Sequence, residues 1–184
     1  MAQTYKRKSL IRRVDNRILH LTARLCPGSE GFRVRLHRWR GVSIGRHVFI
    51  GDDVYLENEY PECIQIGDDC EIGLRTVIMA HLRGPGRVVI KKRAWIGPCC
   101  VIASANSRVL TIGEGAVIAG GSVVTVDVPD RAFVKGPSSE IVATATIPLA
   151  SSTYQEFLRG LRPIVRKETG RKAAHGNSAG ERGA

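Results

Sequence analysis

Between Ile44 and Val124 the apolar positions recur every six residues. Set in sixes, the chain reads IGRHVF, IGDDVY, then IGDDCE, IGLRTV, IMAHLR, GPGRVV, IKKRAW, IGPCCV, then IGEGAV, IAGGSV, VTVDVP. The period is unbroken from Ile66 to Ile102. Interruptions at ENEYPE and ASANSRVLT each shift the phase by four residues, as a loop set into a repeat does. The first column (Ile44, Ile50, Ile66, Ile72, Ile78, Ile90, Ile96, Ile102, Ile112, Ile118, Val124) is predicted to point inward. The second is mostly Gly, which suits a tight corner between strands. The fifth is short (Val48, Val54, Cys70, Thr76, Ala94, Cys100, Ala116, Ser122), as a narrow prism needs. Three hexapeptides make one triangular turn, and stacked turns bury a continuous core. The pattern predicts an all-β fold, a parallel β-helix.

The flanks follow another period. Ile11, Val14, Ile18, Leu21 and Leu25 fall at helical spacing, with Arg12, Arg13, Arg17 and Arg24 mostly elsewhere. Pro27-Gly28 ends that helix. A second short helix is expected through GFRVRLHRWRG, and a turn or two of helix in STYQEFLRGL. The predicted organisation is a basic helical extension over 1–41, a β-helix over 42–142 and a C-terminal extension over 143–184. From about residue 163 the last is polar, Gly-rich and expected to be disordered.

Charge changes the picture only at the ends. Of the net +11, residues 1–40 carry +9 and residues 159–184 carry +5, whereas 41–158 carry −3. Basic ends attract polyanions in general and say little about a pocket in the middle. The 9–25 helix could lie on an anionic membrane surface, or pack on the β-helix as a lid. Nucleic-acid binding is disfavoured, because no reading motif accompanies the basic residues. No apolar run approaches a membrane span and no signal peptide is read. The five Cys include no CxxC pair, which argues against a disulfide scaffold or a zinc ribbon and for a cytoplasmic home. Cys70 and Cys100 belong to the short inward column and are expected to be packing residues.

The stretches IQIGDDCEIGLRTVIMAH, VVIKKRAWIGPCCVI and LTIGEGAVIAGGSVVTVDVP resemble the hexapeptide-repeat acyltransferases, the group that includes the maltose, galactoside and many polysaccharide O-acetyltransferases. The resemblance covers about residues 42–142 and implies a left-handed β-helix, acetyl-coenzyme A as donor, no metal and a homotrimer with sites between neighbours. It places the general base at His81, which ends the strand TVIMA and begins the loop HLRGPGR. An imidazole titrates near neutrality, which suits a general base; the plain alternative is a solvent-facing histidine at a strand end. Trp95 matches the WIG motif that flanks the pantetheine arm. Gly97, Gly120 and Thr125 match positions along the cofactor. Lys135, with Lys91, Lys92 and Arg93, is a candidate for the phosphates, unless these cations merely face water. Asp53 lies nearest the place of the polar residue that orients the acceptor. Arg83 and Arg87 either hold an anionic acceptor or face water.

Two positions depart from the family pattern. Val126 stands where a Lys is usual, and Glu140 where an Arg is usual. Among the other histidines, His47 lies in a turn column, His175 in the tail, and His20 and His37 in the basic leader. Metal-dependent carbonic anhydrases of the same fold use three imidazoles around zinc, and only His47 and His81 fall on coils here. The implied function is transfer of an acetyl group to a sugar hydroxyl of a surface polysaccharide, glycolipid or small acceptor. The alternatives are N-acetylation of an amino sugar and a non-catalytic scaffold or binding module.

Overall fold

The computed structural model describes residues 9–82, 84, 86–105, 107–136, 143–148 and 152–163. It has two compact units, 1–137 and 138–184. In the first, helices α1 (Leu10–Leu25) and α2 (Phe32–Arg40) lead into a parallel β-solenoid. Its first coil is β1 (Ser43–Ile44), β2 (Phe49–Ile50) and β3 (Tyr55–Leu56). The second is β4 (Ile64–Ile66), β5 (Glu71–Ile72) and β6 (Val77–Leu82). The third is β7 (Arg87–Ile90), β8 (Trp95–Ile96) and β9 (Val101–Ala105). The fourth is β10 (Val109–Ile112), β11 (Val117–Ile118) and β12 (Val123–Val124), followed by β13 (Phe133–Val134). The strands form three parallel sheets, ordered β1-β4-β7-β10, β2-β5-β8-β11-β13 and β3-β6-β9-β12.

Register explains why the inward column is so uniform. Ile44 pairs with Ile66, Ile66 with Ile90 and Ile90 with Ile112, so each isoleucine stacks on its counterpart one coil away. The second sheet runs Ile50, Ile72, Ile96, Ile118 and Val134 in the same way. Each such side chain taken from water contributes roughly 1.5–3 kcal/mol. The short fifth column is buried throughout, including Cys70 and Cys100. Their Sγ atoms lie 3.0 Å from the Lys91 carbonyl and 3.2 Å from the Ala119 carbonyl. Burial pushes both thiols up, as expected of packing residues.

The second-column glycines lie at the corners between strands, as expected, but do not supply the left-handed turn conformation. That falls to the fourth column, at His47, Asp53, Asp69, Arg75, Arg93 and Cys99, all with φ between 52° and 59°. The glycines are needed because the next coil runs too close for a side chain: a Cβ on Gly73 would lie 2.5 Å from the Pro98 nitrogen. The block GPGRVV is not a rung. Ile66 pairs with Ile90 rather than with residue 84, and only Arg87 onward is strand. The insertion is one repeat long, so it leaves the phase unchanged and a count in sixes passes over it.

All three loops, at 57–63, 83–86 and 106–108, join a strand of the third sheet to the next coil's strand of the first. All three connections therefore leave from the same corner of the prism, where the 57–63 loop lies one coil before the end of β6. Helix α1 packs beside α2 and the first coil, its Ser9 hydroxyl accepting from the Arg12 amide. Gly31 and Gly41 bracket α2, the latter with φ +108°. In the second unit, β14 (Ala143–Ala145) pairs antiparallel with β15 (Leu161–Pro163). Between them lies α3 (Tyr154–Arg159), its first turn closed by Thr153 and Glu156 in a capping box. The expected disordered tail, from residue 164 on, lies outside the described residues.

Candidate active site

His81 lies on the outward face of β6, next to the end of the strand, with its side chain 38% exposed. Its Nδ1 donates to Oε2 of Glu57 at 2.6 Å. Glu57 opens the loop one coil earlier and is 1% exposed. The same oxygen accepts from the Ala80 amide at 3.1 Å, and Oε1 accepts from the Glu59 amide at 2.9 Å. A carboxylate held by these amides offers only acceptors, so the proton of His81 resides on Nδ1. That leaves Nε2 with its lone pair facing out, 3.9 Å from Oε2 of Glu59. The ring of Tyr60 meets His81 edge to face, with centroids 5.5 Å apart.

Behind the pair lies a buried polar layer. Arg40 on α2 donates through Nη2 to the Glu57 carbonyl at 2.7 Å and to the Leu56 carbonyl at 3.1 Å. Its Nε donates to Oδ1 of Asn16 on α1 at 2.9 Å, and Nη1 meets Nδ1 of His37 at 2.9 Å. Burial brings the Arg40 guanidinium down to about 10. His20 and His37 are each pushed down to about 3, first by burial and then by the Arg40 charge. Both are therefore neutral side chains that seat the two helices on the first coil.

Trp95 stands on a different face. It projects outward from β8, 41% exposed, between Glu71 and Val117 in register. Beside it opens a cleft of about 510 Å³, with Phe49, Leu74, Trp95 and Pro98 as its apolar walls and the Pro27–Ser29 connector at its edge. One chain thus carries His81 near the end of an interior strand of the third sheet and Trp95 on the second.

The other sequence candidates are distributed as follows. Gly97 and Gly120 face each other across adjacent coils; a Cβ on Gly97 would lie 2.5 Å from the Gly120 nitrogen. Thr125 and Lys135 are exposed. Lys91 pairs with Asp130 at 3.0 Å, and Lys92 and Arg93 pair with Glu114, so these three cations tie one coil to the next. Asp53 is held by Arg24 of α1 at 2.5 Å and is not among the groups around His81. His47 is exposed and pairs with Asp69 at 3.2 Å. Arg83, Glu140 and His175 lie outside the described residues. The sequence reading missed Glu57. A signal was present: the first phase break falls one coil before His81, so stacking brings its opening residue against that histidine.

No family sequence model matches the chain. YvoF of Bacillus subtilis (strain 168), an acetyltransferase by name, is 32% identical over 149 residues, which take in 76% of this chain and 82% of YvoF. The chain belongs to the hexapeptide-repeat acetyltransferases. A serine acetyltransferase of the same organism is 32% identical over 131 residues, 68% of this chain and 56% of that longer relative. The crystal structure of the hexapeptide-repeat acetyltransferase VCA0836 of Vibrio cholerae, complexed with acetyl coenzyme A, superposes with a TM-score of 0.57. The match covers 72% of this chain and 87% of that one at 24% identity, and it shows the shared left-handed β-helix.

Proposed function

We propose that this hexapeptide-repeat acetyltransferase moves an acetyl group from acetyl coenzyme A to a sugar hydroxyl of a glycan, glycolipid or related small acceptor. The observation that carries the reading is the bond from His81 Nδ1 to the buried Glu57 carboxylate. It fixes the tautomer, points the basic Nε2 outward and stabilises the imidazolium formed when that nitrogen accepts a proton. His81 takes the acceptor hydroxyl's proton as its oxygen attacks. A protein thiol as nucleophile is not needed, and Cys70 and Cys100 are buried in the core.

Acetyl coenzyme A supplies the electrophilic thioester carbonyl and a thiolate leaving group, which takes up the proton that His81 has accepted. The cleft beside Trp95 has the size and apolar lining to suit a pantetheine arm. Trp95 would flank the arm in this cleft; Gly97, Gly120 and Thr125, outside the cleft lining, would run along the rest of the donor, and Lys135 would meet its phosphates. Because Trp95 and His81 occupy different sheets, the reading places them on adjoining subunits of a threefold trimer. Glu59, near Nε2, suits an acceptor rich in hydroxyl donors. The same carboxylate also suits an ammonium, so an amino-sugar amine is the second acceptor to test.

The test is thiol release from acetyl coenzyme A by the purified chain with sugars, nucleotide sugars and amino sugars. Release should depend on an acceptor and fall by about 10²-fold or more in His81→Ala. Acceptor-independent release, or an unchanged rate in the variant, would refute the assignment.

A further inference from the structure

Helix α1 is packed the wrong way round for a helix that serves only the core. Its apolar residues Leu10, Ile11, Val14, Ile18, Leu21 and Leu25 are all exposed, Ile11 by 75% and Leu25 by 83%. At 100° per residue they fill one arc of about 100°. The face turned to the protein is instead Asn16, His20 and Ala23. That orientation is pinned by specific bonds. Asn16 Oδ1 accepts from Arg40, Arg24 pairs with Asp53 at 2.5 Å, and the Ala23 carbonyl accepts from Arg33 at 2.9 Å. Rolling the helix to hide its leucines would break all three.

We infer that the outward face of α1 docks on an anionic lipid surface. Charge complementarity selects this occupant. Arg13 and Arg17 follow one border of the apolar arc and, like Arg12, are exposed; Arg24 on the same border is held by Asp53. With four arginines and one aspartate the helix carries +3, and Lys6-Arg7-Lys8 precede it in the sequence. A helix lying in the interface plane buries its apolar arc among acyl chains while its arginines reach the phosphates. Two such faces meeting in a pair of chains would bring two +3 helices together, so a second copy is the poorer fit. Among the described residues no helix is long and apolar enough to cross a membrane. The contact is therefore peripheral.

Co-sedimentation of the full chain with vesicles tests this independently of acetyl transfer. Vesicles of phosphatidylcholine with phosphatidylglycerol should pellet the protein, vesicles of phosphatidylcholine alone should not, and rising salt should release it. The double variant I11E/I18E changes exposed positions only and should keep the wild-type circular dichroism and thermal midpoint. Its affinity for the anionic vesicles should fall by about tenfold or more. R12E/R13E should weaken binding to anionic vesicles while leaving the apolar arc intact. Absence of pelleting by anionic vesicles, or equal pelleting of I11E/I18E, would overturn the proposal. So would a shift of I11E/I18E to a smaller oligomer in gel filtration without vesicle binding by the wild type, which would assign the face to a second copy.

Discussion

Glu57 reaches His81 from one coil below, its carboxylate accepting the Nδ1 proton at 2.6 Å while the backbone amides of Ala80, Glu59 and Tyr60 hold it in place. Neither residue is near the other in the chain. The stacking of the 57–63 loop under the end of β6 makes the pair.

If that pair sets the tautomer, Glu57→Gln should lower kcat by about 10- to 10³-fold and leave the KM for acetyl coenzyme A nearly unchanged. A merely structural role would not move the imidazole. Nitrogen-15 NMR of His81 should therefore show Nδ1 protonated in the wild type and a mixture of tautomers in the variant. Retention of one tautomer with full activity would show that Glu57 is dispensable.

Trp95 bears on donor binding. Trp95→Ala should raise the KM for acetyl coenzyme A by about tenfold, the loss expected of one truncated aromatic contact of over 1 kcal/mol. If the site is shared between subunits, mixing His81→Ala with Trp95→Ala chains by unfolding and refolding together should restore part of the activity. Mixtures no more active than the separate variants would place both residues in one subunit's site.

The buried histidines make stability depend on pH. His20 and His37 are held at about 3 in the folded state against an ordinary 6.5. Above pH 6.5 both states leave them neutral and they contribute no slope. Below it the unfolded chain takes up protons that the folded chain refuses, so stability falls as pH falls toward 3. Each contributes up to about 1.4 kcal/mol per pH unit. Urea midpoints should therefore drop between pH 6.5 and 4.5, a window above most carboxylate titrations. His20→Gln should remove about half of that slope; an unchanged slope would assign it to other groups.

Coil stacking leaves no room at the second column. Gly73→Ala brings a methyl against the Pro98 backbone and should destabilise the solenoid by about 1–3 kcal/mol. A thermal midpoint equal to that of the wild type would show that the coils can separate at no cost.

Much of this protein is written in its period. Isoleucine every six residues, with a short residue four places on, is enough to specify a triangular solenoid, because each rung can bury its apolar side only against an identical rung. The helices were legible too, since a 3.6-residue period and bracketing glycines are local properties. What the linear pattern could not carry is anything that depends on which rung lies over which. The insertion ending at Gly86 keeps the phase and so hides in the count. Glu57 becomes the partner of His81 only because the coil that carries it stacks against the end of β6. Asp53 is drawn to Arg24 by a helix whose seat on the first coil is decided by a buried arginine. The apolar arc of α1 is plain in the sequence, but its facing outward is a tertiary fact: the first coil had polar carbonyls to satisfy, and Asn16, Arg40 and Arg33 bind them more specifically than leucine can.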